Sequence, residues 1–377
     1  MNINSFGSSL RLLPLRISII FFLFVFSASA DQRLDSLGEA AVKNGLTEGA
    51  VILVRQNGSV LHSGAYGTAE EGSVFDLASL TKVYAATLAV MRLTDLGLVD
   101  PSDKAGRFFP QFREGEKARV TVDHLLRHSS GLPAWKPLYC AENPKEHLLN
   151  MPLQYPPGSE RIYSDLGFML LGMIVEKAGG MPLDEFVNEQ FYKPMGLKTA
   201  GFKPADVSGV MPTLFGGFEA AMADDASCSE KFEKKNLKGQ VNDGNARMAF
   251  GGSAGHAGLF SSAEDLAALT EMITDGKYIK PETVRRFMLK DEAGQGMGFA
   301  MTEQSLHAEG ITEAAFGHLG FTGTSAVSVP GKRLTVIILT NRQMKGLDEK
   351  GRYPDLREFR KAVFSEAVRL SEKNMLK

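Results

Sequence analysis

Two pairs of β-rich runs stand near opposite ends of this chain, and together they restrict the fold more than anything else in it. Residues 50–56 and 59–65 flank Asn57-Gly58, the dipeptide that most readily takes the positive-φ turn of a tight hairpin. Residues 324–329 and 334–340 flank Pro330-Gly331, and residues 298–302 read as a further strand. Between these ends the apolar period is helical or irregular, with a proline-rich passage over 133–157. Helices are expected over 164–176, stopped by Gly179-Gly180, and over 183–192, stopped by Pro194. A first helix ends at Gly45, and an amphipathic helix over 355–376 closes the chain. The expectation is an α+β fold with a mostly antiparallel sheet built from both chain ends, flanked by helices and interrupted by a helical insertion. Residues 31–99 and 250–377 supply the sheet part, and 100–249 the helical part. Within the latter, 203–247 is polar and glycine-rich without a period, and reads as a surface excursion. Ser261-Ser262-Ala263-Glu264 reads as a capping box for a helix running to Met272.

The first thirty residues have the form of an export signal: Arg11 and Arg16 ahead of an apolar centre at 19–26, then Ala28-Ser29-Ala30 as a cleavage site. Cleavage after Ala30 would leave a single catalytic domain over 31–377, periplasmic or secreted, with no stable membrane span. Losing the two arginines takes the formal charge from −2 to −4, and no basic block suggests nucleic acid. The two cysteines, Cys140 and Cys228, are as compatible with free thiols as with one disulfide. No Cys/His grouping has metal-ligand spacing, and no metal or organic cofactor is implied.

Chemistry enters at Ser79 and Lys82, three residues apart ahead of a largely apolar run to Leu96. On a helix that spacing puts an amine beside a hydroxyl that is a poor nucleophile until a base is held against it. At the first turn of a buried helix, unpaired N–H groups would favour developing negative charge. Tyr163, in Tyr163-Ser164-Asp165 after a turn-rich loop, can aim its hydroxyl into a cleft, although a half-buried structural tyrosine is the commoner case. His318 stands in Gly317-His318-Leu319-Gly320-Phe321-Thr322-Gly323 before a strand, where glycines allow close approach to the backbone. The turn at His128-Ser129-Ser130-Gly131-Leu132 means by itself only a helix end.

In this order, Ser-x-x-Lys, Tyr-Ser-Asp and His-x-Gly resemble the serine β-lactamase and penicillin-binding protein superfamily. The likeness is to the branch holding class C β-lactamases, D-alanyl-D-alanine carboxypeptidases and β-lactamase-like esterases. It takes in Leu170-Leu171-Gly172, Lys193-Pro194-Met195-Gly196-Leu197 and the block 252–260, which resembles penicillin-binding proteins of the 4B type. The resemblance implies a β-lactamase/transpeptidase-like fold, Ser79 as acylated nucleophile, Lys82 as its proton acceptor and Tyr163 as relay to the leaving group. It implies an oxyanion hole from the backbone N–H groups of Ser79 and Phe321, and substrate contacts at Asp165, His318 and Gly320. Asp165 stands where the family has asparagine, and Leu319 where it has threonine or serine, removing an amide donor and a hydroxyl. His318, where many relatives carry lysine, would grip a carboxylate when protonated.

The expectation is therefore an exported serine hydrolase working through an acyl-enzyme on a small-molecule or peptidoglycan-peptide substrate, closest to a penicillin-binding D-alanyl-D-alanine carboxypeptidase. An esterase, a weak class C-type β-lactamase and, in another class, a non-catalytic wall-fragment or β-lactam sensor are the alternatives. Gly251-Gly252-Ser253-Ala254-Gly255 also fits the nucleophile elbow of α/β-hydrolases, but the stretch before it is too polar for the strand that an elbow needs.

Overall fold

The computed structural model describes residues 30–222, 228, 231–311 and 314–376. Residues 1–29, nearly all of the expected leader, lie outside them. Its strands in chain order are β1 (Gly49–Gln56), β2 (Ser59–Gly67), β3 (Phe75–Asp76), β4 (Gly201–Phe202), β5 (Thr213–Phe215), β6 (Lys235–Leu237), β7 (Leu259–Ser261), β8 (Phe316–Leu319), β9 (Ser325–Val329) and β10 (Leu334–Thr340). Five of them form one antiparallel sheet in the order β2-β1-β10-β9-β8, so both chain ends do build it. Asn57 and Gly58 turn the first hairpin with φ of 52° and 77°. β1 and β10 are almost wholly buried because helices cover both faces. On one side lie the first helix, Ala30–Lys43, and the last, Arg357–Met375, packed with Leu34, Ile52, Val336, Ile338 and Phe364. On the other, Val51, Leu53, Ile337 and Leu339 join the larger core with the helical part.

Four local expectations are corrected. Residues 298–302 form no strand; Ala300 alone bridges Gly317. The cap of helix Ala263–Met272 is Ser262, whose hydroxyl accepts from Asp265 N, rather than a box opened by Ser261. The helix behind Ser79 opens as a wide π-turn over Lys82–Thr87 before Leu88–Asp95 becomes α-helical. Such segments are frequent at functional sites. The stretch 203–247 is no loose excursion: it folds the β5-β6 ribbon and a short helix, Gly217–Met222, back over the molecule. Val210, Phe215, Phe232, Leu237 and Val241 are buried there. Its fastening is the disulfide Cys140–Cys228, with Cα atoms 5.7 Å apart across 88 residues of sequence, which closes the question that the sequence leaves open.

Candidate active site

Ser79 sits in a turn that is held from three directions. Leu77 N donates to Leu259 O on β7, Thr322 Oγ1 donates to Asp76 O, and Thr324 Oγ1 donates to Leu77 O. The buried Asp76 carboxylate accepts from Ala78 N at 2.9 Å and from Asn242 N at 2.6 Å, joining the turn to the refolded excursion. Burial pushes Asp76 up to about 6, with those two N–H groups opposing. Ala78, immediately before the nucleophile candidate, has φ of 48°, a strained conformation for a side chain with a Cβ. Gly320 is explained by the same turn. A Cβ there would lie 2.6 Å from Leu77 O, so its smallness admits the protein's own backbone; the residue also lines a cavity beside Ser79.

Lys82 is fully buried, and its ammonium donates to Ser79 Oγ at 2.9 Å and to the carbonyl of His256 at 3.3 Å. Asp165, the first residue of helix Asp165–Gly179, brings Oδ1 to 2.7 Å from Lys82 Nζ. Burial alone would lower the Lys82 pKa; the Asp165 carboxylate, followed by Tyr163, outweighs it and holds the amine above its ordinary value. Tyr163 completes the group. Its ring centroid is 4.8 Å from Lys82 Nζ, and Lys82 and Ser79 both act on its hydroxyl. The residue is 41% exposed at the cavity mouth, yet its hydroxyl is turned inward, and burial of that group raises its pKa against the pull of Lys82. Sequence reasoning thus finds the three central residues, and the structure brings them together. It also shows Asp165, which walls one of the cavities at Ser79, as the counter-ion of Lys82.

His128 was not legible as a site residue. It is buried at φ of 59°, its Nδ1 accepts from Ser164 N at 3.0 Å, and its ring lies 4.4 Å from that of Tyr163. Burial drives its pKa well down, so it is a neutral support for the phenol. His318 lies on the far side of Tyr163, with ring centroids 6.0 Å apart. It too is buried; its Nδ1 donates to Leu319 O at 2.8 Å, and burial followed by Lys82 lowers its pKa to about 4. At neutral pH it is not the cation that gripping a carboxylate would need. Ser253 lies apart from this cluster, beside a cavity with Lys145, Glu176 and Lys203, and a π-turn over Asn245–Ala249 precedes it instead of a strand.

Two cavities meet at Ser79 and Tyr163, with Phe321 on both. The smaller, about 240 Å³, is walled by Trp135, Asp165 and three groups from the refolded excursion, Phe218, Glu219 and Asp243. Glu219 accepts from Tyr139 Oη at 2.5 Å and from Gly244 N at 2.8 Å; burial, then Asp243, pushes its carboxyl well up. The larger, about 810 Å³, runs past Leu319 to a group of arginines.

The family described as Beta-lactamase matches residues 34–359. Over 364 residues, covering 84% of this chain, the sequence is 32% identical to an N-acetylmuramyl-L-alanine amidase of Bacillus subtilis (strain 168), of which 82% is covered. It is 32% identical over 321 residues to an Escherichia coli (strain K12) protein provisionally named a D-alanyl-D-alanine carboxypeptidase, covering 77% of this chain and 74% of that one. Among solved structures, EstCE1, a hydrolase with promiscuous acyltransferase activity, has a TM-score of 0.68 at 24% identity, covering 89% of this chain and 98% of its own. The octameric penicillin-binding protein homologue of Pyrococcus abyssi has a TM-score of 0.67 at 20% identity, covering 90% of this chain and 77% of its own. These structures share the antiparallel sheet flanked by helices, the β-lactamase/transpeptidase-like fold.

Proposed function

Because the chain belongs to the β-lactamase family of hydrolases, we propose that it is an exported serine hydrolase that cleaves an amide bond in wall-derived peptides through an acyl-enzyme on Ser79. The observation that carries this reading is the contact of Lys82 Nζ with Ser79 Oγ at 2.9 Å under the Tyr163 hydroxyl, at the meeting of two cavities. The leader-like residues 1–30 and the Cys140–Cys228 disulfide support an oxidising compartment outside the cytoplasm.

The Asp165–Lys82 pair sets the order of proton movements. As substrate closes over the pair, one proton passes from Lys82 to Asp165. The freed amine accepts the Ser79 proton as Oγ bonds the acyl carbon. The N–H groups of Ser79 and Phe321 hold the oxyanion that forms, and Lys82 returns its proton through Tyr163 to the departing nitrogen. No net charge is created in the buried site.

The D-alanyl-D-alanine bond is the first substrate to test. A muramyl–L-alanine amide is a second reading, favoured by the equally similar Bacillus amidase. The experiment is intact-protein mass after incubation with a fluorescent penicillin, alongside chromatography of a D-alanyl-D-alanine-terminated peptide and of N-acetylmuramyl-L-alanine. An adduct and turnover that both vanish in Ser79→Ala are expected. Turnover of a short p-nitrophenyl ester alone, still dependent on Ser79, would make the protein an esterase. Turnover that survives Ser79→Ala would overturn the nucleophile, and no chemistry with any probe would leave a binding protein.

A further inference from the structure

Arg360 is a buried arginine with no carboxylate within 4.0 Å among the described residues; Asp355 attracts it from farther off. It projects from the C-terminal helix, is 5% exposed, and lines the larger cavity beside Ser79. Its Nη2 donates to Thr324 O at 3.2 Å, its Nη1 is 3.4 Å from Nδ1 of His307, and its Nε has no partner. Burial, then repulsion from Arg342, lowers its pKa to about 9, with Asp355 opposing. His307, lowered to about 4 by burial and then by Arg360, is neutral and compensates nothing. Arg342 lines the same cavity; its Nε donates to the carbonyl of Phe321 and its Nη1 to that of Pro354, which uses two of the five guanidinium N–H donors. Lys345 stands exposed on the rim. Of the cavity's two carboxylates, Asp348 lies 3.1 Å from Arg352, and Asp355 lies 3.9 Å from Arg357 and attracts Arg342 and Arg360 from beyond contact distance. Among the described residues, Arg342, Lys345 and Arg360 have no carboxylate within 4.0 Å.

A buried, unpaired charge is costly unless something of opposite sign satisfies it. Two guanidiniums that repel each other across one cavity have the same requirement. The cavity's roughly 810 Å³ lies in the range of about 300–1,000 Å³ that accepts a drug-sized molecule, far more than one terminal alanine fills. Its walls include the rings of Phe321 and Tyr353, suited to a chain with apolar as well as charged parts. We propose that this cavity binds an acidic peptide segment of the substrate, bearing two or more carboxylates, with Arg360, Arg342 and Lys345 as its anion receptors. The proposal rests on the reading of Ser79 as the acylating serine of a peptide amidohydrolase, and names the kind of peptide. Arg360 and Arg342 thereby take over the anion binding that neutral His318 and Leu319 do not provide.

The test is calorimetric titration of the folded Ser79→Ala protein, which binds without turnover, with L-alanyl-D-glutamate and with its bis-amide. The diacid is expected to bind at least tenfold more tightly than the bis-amide, since a charge-assisted hydrogen bond carries about a tenfold to hundredfold effect. Arg360→Met is expected to erase the difference. As that buried substitution can disturb folding, Lys345→Glu on the exposed rim is the second variant, with a loss of several-fold for the diacid only. Equal binding of diacid and bis-amide, binding of neither, or a diacid affinity untouched by Lys345→Glu would overturn the proposal. So would inorganic phosphate binding more tightly than the diacid. Failure of the acyl-enzyme reading shows separately, as wild-type hydrolysis that persists in Ser79→Ala.

Discussion

Asp165 Oδ1 stands 2.7 Å from Lys82 Nζ, so the amine beside Ser79 Oγ is held as an ammonium by a carboxylate in the next motif. An opposite charge at that distance shifts a pKa by about one to three units. In Asp165→Asn the carboxylate is gone, and burial, which lowers the Lys82 pKa, is opposed by Tyr163 only. The rising alkaline limb of the acylation rate should then move to lower pH by at least about one unit. A pH profile of penicillin adduct formation reads this directly, and an unmoved limb would remove Asp165 from control of the base.

His318 gives a second pH effect, on stability. Its folded pKa of about 4 lies below the ordinary 6.5, so between those values the unfolded chain takes a proton that the folded chain refuses. Stability therefore falls as pH drops from 6.5 toward 4, and His318 adds no slope above 6.5. His128, lowered by burial, acts in the same direction. Melting temperatures at pH 7 and pH 5 should differ less in His318→Gln than in the wild type. An identical difference would mean that His318 is protonated in the fold.

The Cys140–Cys228 disulfide closes a long loop, and removing a native disulfide typically costs about 2–5 kcal/mol. Replacing both cysteines by alanine should lower the denaturation midpoint by that order. Phe218 and Glu219, on the tethered segment, wall the smaller cavity, so KM should rise more than kcat falls. Equal losses in both would place the tether's effect on the nucleophile instead.

Gly255→Ala should be more damaging than Gly172→Ala, although the two glycines touch. A Cβ on Gly255 would lie 2.0 Å from Phe168 O, whereas one on Gly172 would lie 2.9 Å from Gly255 N. Overpacking costs about 1–3 kcal/mol where the backbone can yield and more where it cannot. Displacing Gly255 also shifts the His256 carbonyl off Lys82. Denaturation with parallel acylation rates separates the two glycines, and equal effects would contradict the packing.

Ser79, Lys82 and Tyr163 are legible because each lies in a short motif whose local geometry does the positioning. The hairpin at Asn57-Gly58 is legible for the same reason. The excursion over 203–247 is not. Val210, Phe215, Leu237 and Val241 are buried by a two-stranded ribbon and a disulfide partner far away in sequence, so they carry no period. His128 escapes because its two partners, Ser164 N and the Tyr163 ring, lie more than thirty residues on. Arg360 reads in sequence as the wet face of an amphipathic helix, and only contacts with Thr324 and His307, far away in sequence, make that face an interior one. The expected strand at 298–302 fails because β8 pairs with β9 on one side and reaches Ala300 by a single bridge on the other.

The sheet order also fixes when the turn at Ser79 is complete. β1, near the start of the chain, has β10, near the end, as its inner neighbour, and the turn carrying Ser79 is pinned by the hydroxyls of Thr322 and Thr324. A nascent chain that has emerged as far as residue 300 therefore already carries the serine, the lysine and the tyrosine, with Leu259 and Asn242 to hold the turn, but not Thr322 and Thr324. The turn is fully fastened only with the last strands, so an incomplete product of synthesis lacks two of its ties.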